Sequence, residues 1–568
     1  MKRRHFIQAG ITAGLASSIP FKGLAAVPSC SSYWYYFNRN ISNDAHNTIG
    51  NLIAQYLAEV AFTPSGGWVV VSGAGTYQAS GIPNECYSKL QQFINAGERI
   101  NSIAFPPAGG NRWVIVSETN LFSKNIPTSC FNQLVAKRDA GDEVYCVAFP
   151  PSGGWVILTD RSHVASGIPS QCYNAIQSFA ASGDRARHVA FTPGGGWIVL
   201  SATTFVASNI PQECYDKIVS WWQAGARITK VSFAPNGGWH ASSNEPTSLP
   251  TPSGGLADVR SVMVNNSIPG LAAVVIKNNA VHLQHYYGRV QRGSCKGVSS
   301  STRFQAASVS KVVAAAGAVR FTELNNTITS IGTNVRPHLG ITLGGISGGF
   351  NLEQLLTHTA GINVSGFPGY RRGLWVPDTE GIIAGDGNTP EIRKVNSNGT
   401  FSYSGGGYTL VQQLIENLTG QNYGNWMWTN VLSLLGMSSS SFVLDPNLSD
   451  ANLAVGHDSS GYPIGRRRHM YPEYAAAGMY TTALDLRRLV VAINNGGVGP
   501  TGVQVWNAAD GASVGLGGGN YTYTGANEGF RSLIWGRSAN GNGVTLLANA
   551  NTNALPQIRD LYINAYSL

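Results

Sequence analysis

Charge is scarce in this chain. Only 12% of its 568 residues are Asp, Glu, Lys or Arg, against 43% that are apolar. Disordered chains show the reverse balance, so this one folds around a large core. After the N-terminus no stretch is long and apolar enough for a membrane helix, which needs roughly 20 such residues. No C-x-x-C pair occurs, so the cysteines carry no zinc-site spacing, and no metal or organic cofactor is expected. The formal charge of +9 comes from 38 basic and 29 acidic residues spread along the whole length. A nucleic-acid partner would need a dense basic face, and none is visible. At about 150 residues per domain the length excludes a single small module and allows two large units.

The first residues read as an export signal covering 1–26. Lys2, Arg3 and Arg4 precede His5 and Phe6, a mildly apolar stretch follows over 7–19, and Gly23, Ala25 and Ala26 supply small residues for cleavage. The adjacent arginines resemble a twin-arginine signal, with an ordinary secretory signal as the alternative; either places the product in the periplasm or outside the cell. Cleavage would remove four basic residues and no acidic one, leaving 34 against 29.

Seven cysteines leave at least one thiol unpaired in an oxidising compartment. Four of them, Cys86, Cys130, Cys172 and Cys214, end a recurring Ile-Pro-x-x-Cys phrase. A second phrase, Phe-x-Pro-x-Gly-Gly-Trp with small variations, recurs around Phe62, Phe105, Phe149, Phe191 and Phe233, a period of 42 to 44 residues. Such a period marks a repeat array. Each unit reads as a strand, a Pro-Gly-Gly turn, a return strand beginning at Trp, and a helix opened by Ile-Pro. Residues 27–243 are therefore expected to hold about five hairpin-helix units, with the cysteines as small core residues. The residues around Trp34 and a helix-like stretch over 47–60 resemble a partial unit that would pair with the last one to close a ring or a propeller-like array. This half is neutral, with 13 basic and 13 acidic residues over 27–245, and a Pro/Ser/Gly-rich linker spans 244–257.

Chemistry concentrates in 258–568. Ser308-Val309-Ser310-Lys311 fits S-x-x-K, which puts a serine and a lysine on one face of a helix. Alone the pattern is weak. Residues 312–319, however, are apolar on all sides, as in a buried central helix, and polar groups at its head would be costly without a function. Further phrases follow in order: Ile268-Pro269-Gly270, Leu355-Leu356-Thr357-His358-Thr359-Ala360-Gly361, Tyr403-Ser404-Gly405, Gly478-Met479-Tyr480-Thr481-Thr482 and Tyr523-Thr524-Gly525-Ala526-Asn527.

With these motifs residues 259–568 resemble the serine hydrolases that include class C β-lactamases, penicillin-binding DD-peptidases, D-aminopeptidases and β-lactamase-fold esterases. The resemblance implies an α+β fold, a helical cluster beside an antiparallel sheet, with the site between them. It makes Ser308 the acylated nucleophile, Lys311 its partner and Tyr403 the proton relay, with Lys311 or tyrosinate as the base. The backbone N–H groups of Ser308 and Ala526 would form the oxyanion hole, and Gly405, Tyr523, Thr524 and Gly525 would meet the substrate. A lysine with an ordinary pKa of about 10.4 serves as base only if its surroundings lower that value.

Two departures weaken a β-lactamase or DD-peptidase assignment. Gly405 stands where the family carries the Asn of Y-x-N, and Tyr523 stands where it carries the first residue of K-T-G or H-x-G. An ester or an aminopeptidase-like amide substrate, a small molecule or a peptide, fits better; the alternatives are β-lactamase or DD-peptidase activity, or a non-hydrolytic penicillin-binding protein. His358 reads as a structural hydrogen-bonding residue. His282 and His285, three apart on a strand, are expected on opposite faces and so are poor metal partners. Arg371-Arg372 and Arg466-Arg467-Arg468 read as solvated loops or as a grip on an acidic substrate, since guanidinium holds carboxylate bidentately.

Overall fold

A computed structural model describes residues 34–53, 57–73, 75–223, 226–244, 254–292, 294, 296–446 and 452–568. The expected export signal, most of the linker, Cys30 and Cys295 lie outside them.

The first half is built from five separate three-stranded antiparallel sheets. In four of them a unit supplies its own inner, middle and outer strand, as in Ile100–Ala104, Trp113–Ser117 and Leu121–Lys124. The short outer strand, half-exposed and only four residues long, is the element that the hairpin-helix reading omits. The fifth sheet is completed from the other end of the chain: Trp34–Arg39 pairs antiparallel with Trp239–Asn244 in the outer position, and the helix Asn43–Leu52 follows it. The expected helix over 47–60 is thus corrected. It ends early, and Leu57–Phe62 is the inner strand of the first unit, buried at five of its six positions.

Both recurring phrases have one cause, because the core lies between units and not within them. Cys86 packs with Leu90 and Phe93 of its own helix and with Trp113 of the following unit; Cys130 meets Trp155, Cys172 meets Trp197, and Cys214 meets Trp239 in the same way. The fifth gap is filled by Ala45, Ile49 and Leu52 against Trp68. Four of these five tryptophans follow a glycine, Trp113 following Arg112 instead, and the glycine is equally constrained: a Cβ on Gly67 would overlap the Gly81 carbonyl, and one on Gly238 would overlap that of Asn40, so the N-terminal segment takes the place of the missing outer strand. Successive inner strands are linked by side chains. Ser102 Oγ accepts from Val147 N–H at 3.0 Å, and His188 Nε2 lies 2.7 Å from the Val231 carbonyl. Ser232 Oγ then donates to the Val60 carbonyl at 2.5 Å, and Lys230 pairs with Glu59 at 3.2 Å. The array therefore closes into a ring of discrete sheets without a continuous barrel.

The five cysteines in the described ring are buried and free. Burial pushes the thiols of Cys86, Cys130, Cys172 and Cys214 up to about 12 and that of Cys146 to about 11. Since the thiolate is the reactive form, Ellman's reagent is expected to leave these five unlabelled at pH 8 and to titrate them only after denaturation.

In the second half a five-stranded antiparallel sheet runs in the order Ala280–Gly288, Gly270–Lys277, Asn542–Ala548, Phe530–Arg537 and Asn520–Asn527. Helices Ala257–Asn265 and Leu555–Tyr566 cover one face through Val259, Met263, Ile558 and Tyr562. The other face packs on Ser310–Leu324 and Ala483–Asn494. Among the described residues no helix is long and apolar enough to cross a membrane.

Candidate active site

The helix Ser310–Leu324 is buried at twelve of its fifteen positions, so its first turn is held in place from every side. A 3-10 turn, Ala307–Val309, precedes it, and Ala307 adopts φ 50°, a left-handed conformation that a residue with a side chain rarely takes. This turn lifts Ser308 out of the core toward a cavity of about 900 Å³. Ser310, buried on the opposite side, accepts from Met479 N–H at 3.1 Å and ties the helix to the strand Met479–Thr481.

Two predicted residues converge on the side-chain oxygen of a third, Ser308. Lys311 Nζ lies 3.2 Å from Ser308 Oγ and donates to the Ala476 carbonyl at 2.8 Å, while Tyr403 OH lies 3.1 Å from the same Oγ. Lys311 is only 6% exposed and has no ion-pair partner among the described residues, though its ammonium lies 5.2 Å from the Tyr403 ring. Burial lowers its pKa from 10.5 to about 7. Burial raises that of Tyr403 above 10, against an opposing pull from its bond to Ser308. His358 takes the structural role expected of it. Its Nδ1 accepts from Ser404 N–H at 3.0 Å, its ring packs 4.4 Å from that of Tyr403, and burial, then the Lys311 charge, push its pKa down to about 4.

The strand Asn520–Asn527 forms the edge of the sheet and the opposite wall. Its hairpin closes with Asn527 paired to Phe530 across a two-residue turn, so Asn527, Gly525 and Tyr523 bond to the neighbouring strand, and the N–H groups of Ala526 and Thr524 turn outward. Gly525 sits so close that a Cβ there would lie 2.8 Å from Ser308 N and 2.5 Å from the Ala306 carbonyl, so the edge strand runs against the turn that carries Ser308. Tyr523 lines the cavity, but its hydroxyl donates to the Gly515 carbonyl and pins the 512–516 loop over the site.

Several expectations change. Gly405 is not part of the cavity lining; it is the buried first residue of the helix Gly405–Thr419, and a Cβ there would sit 2.7 Å from the Phe367 ring, so an asparagine has no room. The two histidines on Ala280–Gly288 do not face opposite ways. A bulge opposite Val275 and Ile276 shifts the phase at His282, and both rings pack on the C-terminal helix, His282 on Tyr566 at 5.4 Å and His285 on Tyr562 at 5.8 Å. Among the described residues no group of three metal-ligating side chains occurs.

The arginine clusters do not face the cavity. Arg371 pairs with Asp160, Arg467 with Glu118 at 2.5 Å, and Arg372 with Glu118 at 3.4 Å and Asp445 at 2.9 Å. Arg468 also takes Asp445, at 2.6 Å. Arg466, 1% exposed, donates its N–H to Glu143 at 2.6 Å and its guanidinium to the carbonyls of Arg372, Arg138 and Asp142. Arg371, Arg372, Arg466 and Arg467 dock the ring onto the second half, Arg468 braces Asp445 within that half, and the acidic-substrate reading of the clusters falls. Besides Lys311, Arg531 lines the site, and sequence reasoning missed it; it stands opposite Ala526 in the hairpin register, a position that the Asn-Glu-Gly turn makes readable. Phe401, Tyr408 and the 512–516 loop were missed too.

"Protein flp" of Staphylococcus aureus (strain MRSA252) is 26% identical over 202 residues, which cover 35% of this chain. The chain thus spans about 38% of the length of that relative. Among solved structures, the octameric penicillin-binding protein homologue from Pyrococcus abyssi superposes with a TM-score of 0.44 at 19% identity, covering 52% of this chain and 72% of its own. A class C β-lactamase from Rhodobacter sphaeroides gives 0.42 at 20%, covering 54% and 96%. The family model described as Beta-lactamase matches residues 257–567, more than half of the sequence, and the protein belongs to the β-lactamase family of serine hydrolases.

Proposed function

We propose that the chain is an exported hydrolase, periplasmic or secreted, that cleaves an ester or amide through an acyl-enzyme on Ser308. The observation that carries this reading is Lys311: a buried amine without a counter-charge among the described residues, 3.2 Å from the serine oxygen, with a pKa lowered by burial to about 7. Neutral near working pH, it takes the Ser308 proton as Oγ attacks the substrate carbonyl. The oxyanion forms between the N–H groups of Ser308 and Ala526. As the tetrahedral intermediate collapses, the Lys311 ammonium returns its proton through Tyr403 to the leaving atom, and water repeats the sequence to release the acid. Tyr403, with its raised pKa, acts as a neutral relay and not as the base. Gly405 and Tyr523 lack the contacts that hold an acylamino group and a carboxylate, while Phe401, Tyr408, Val312 and Leu516 give the cavity an aromatic and aliphatic lining. An apolar acyl group fits there.

Arg531 favours a second reading, a carboxylate-bearing substrate such as a β-lactam or a peptide, because its guanidinium is directed by bonds to the carbonyls of Asn527 and Phe530 at the cavity wall. A fluorophosphonate probe is expected to label Ser308 and not a Ser308→Ala variant. In a panel of p-nitrophenyl esters, D-amino acid anilides and nitrocefin, the esters with apolar acyl groups are expected to turn over fastest. Turnover of the best substrate by Ser308→Ala at the wild-type rate would overturn the reading.

A further inference from the structure

The ring also has a mouth, at the end that faces the second half. All five units reach it: Leu57, Ile100, Glu143, His188 and Ile228, each within one residue of the start of successive inner strands, line one cavity of about 180 Å³. Tyr462 and Arg292 of the second half roof it. It is separate from the cavity around Ser308.

Its charges do not balance. Lys230 is taken by Glu59, and Arg467 and Arg99 share Glu118. Arg187, Arg227 and Arg292 remain, and their guanidinium carbons surround the Tyr462 ring at 4.2, 4.6 and 5.0 Å from its centre. None of these three has an ion pair among the described residues. Arg187 Nε and Arg227 Nη1 are buried without a hydrogen-bond partner, while Arg292 Nη1 donates to the carbonyls of Ser460 and Gly461. The nearest acids attract these arginines without pairing with them, and their oxygens are held by other donors. Asp184 accepts from Ser201, Thr203 and the Ala202 N–H, Asp458 accepts from the N–H groups of Ser460 and Tyr462, and Glu143 accepts from Asn101 and Arg466. Three guanidiniums held around one phenol ring repel one another, and buried donors without acceptors are costly; an anion between them relieves both penalties.

We infer that this cavity binds a tetrahedral oxyanion, held by Arg187, Arg227 and Arg292 over the Tyr462 ring. Three cations approaching from two ring units and the opposing half match an anion with oxygens in three directions better than a flat carboxylate, which presents two. The ligand is inorganic phosphate or the phosphoryl end of a phosphomonoester. An adjoining groove of about 610 Å³ shares Tyr145, Arg187 and Tyr462 with the cavity and gives an organic remainder a way out. Bound there, the anion bridges the fourth and fifth units to the segment around Tyr462 and clamps the two halves together.

The test uses the full chain at fixed ionic strength, with sodium chloride exchanged for inorganic phosphate. Thermal unfolding is expected to shift upward and saturate, and titration calorimetry is expected to give one site per chain. Arg187→Gln and Arg227→Gln are each expected to weaken binding at least tenfold, and Arg227→Lys, which keeps the charge and loses the fork, to fall between. Glycerol 2-phosphate binding at least tenfold tighter than phosphate identifies a phosphomonoester; equal or weaker binding identifies free phosphate. The inference is overturned if wild-type protein binds neither, if malonate binds as tightly as phosphate, or if the folded double variant binds phosphate unchanged.

Discussion

Lys311→Met is expected to cost about 10²- to 10⁴-fold in kcat, the usual worth of a positioned general base, and at the same time to make the protein harder to unfold. The two effects share one cause. Lys311 is 6% exposed, and the groups that hold its amine are Ser308 Oγ and the Ala476 carbonyl, with no carboxylate among them. Burial therefore lowers its pKa from 10.5 to about 7. Between those two values the unfolded chain binds a proton that the folded chain has released, so stability rises with pH across the window and carries the full penalty below about 7. At about 1.4 kcal/mol per pKa unit the penalty at neutral pH is several kcal/mol. Methionine has a similar length and no charge, and it removes that penalty while leaving the Ala476 carbonyl short of a donor, a loss of about 1–3 kcal/mol. Urea unfolding should thus show a gain for Lys311→Met that is largest at pH 6–7 and shrinks toward pH 10. In wild-type protein kcat/KM should rise with pH up to about 7 and then level. A profile without that limb, or a methionine variant less stable at pH 6 than at pH 10 relative to wild type, would remove Lys311 from the role of base.

What could be read from residues alone follows from how local the constraint is. Ser308 and Lys311 lie within one helical turn, and Tyr403 heads a motif of its own, so short local phrases carry the resemblance that points to all three. The ring closure was legible because the residues around Trp34 repeat half of a unit, and the structure seats that half in the fifth sheet. Gly405 was misjudged because a motif position says which residue is missing and not which neighbour, here Phe367, has filled the space. The phase of His282 was lost to one extra residue in a strand, which alternation cannot register. The arginine clusters were the widest miss. Their partners Glu118, Glu143 and Asp160 lie 211 to 349 positions away in another half of the chain. An equal count of acids and bases over the ring gave no hint that some of the acids are buried beneath the other half.

Those acids carry the second large effect. Glu118, between the strands Trp113–Ser117 and Leu121–Lys124, is 3% exposed and faces Arg467 at 2.5 Å, Arg372 at 3.4 Å and Arg99 at 4.0 Å. Burial alone would raise its pKa, but the three guanidiniums outweigh burial and hold it below 4.5. Glu118→Gln keeps the shape and removes the charge, leaving three arginines facing one another in a closed seam. Breaking a buried pair from one side costs about 3–5 kcal/mol, far more than the pair is worth against apolar replacements. Chemical denaturation of Glu118→Gln should register a loss of that size, with the ring and the second half unfolding in separate steps as the seam weakens. A second change, Arg467→Met in the same chain, should restore part of it, because it removes a charge that has lost its counter-charge; exposed pairs such as Arg39 with Glu213 should give no comparable response. The pH dependence has a definite sign. A carboxylate whose folded pKa is depressed stabilises the protein above about 4.5, and the contribution is lost as pH falls through the folded value. Wild-type protein should therefore lose the coupling between its halves in acid before either half unfolds, and Glu118→Gln should show that uncoupling already at pH 7. If the variant unfolds in one transition with wild-type stability, the seam is not held by these charges.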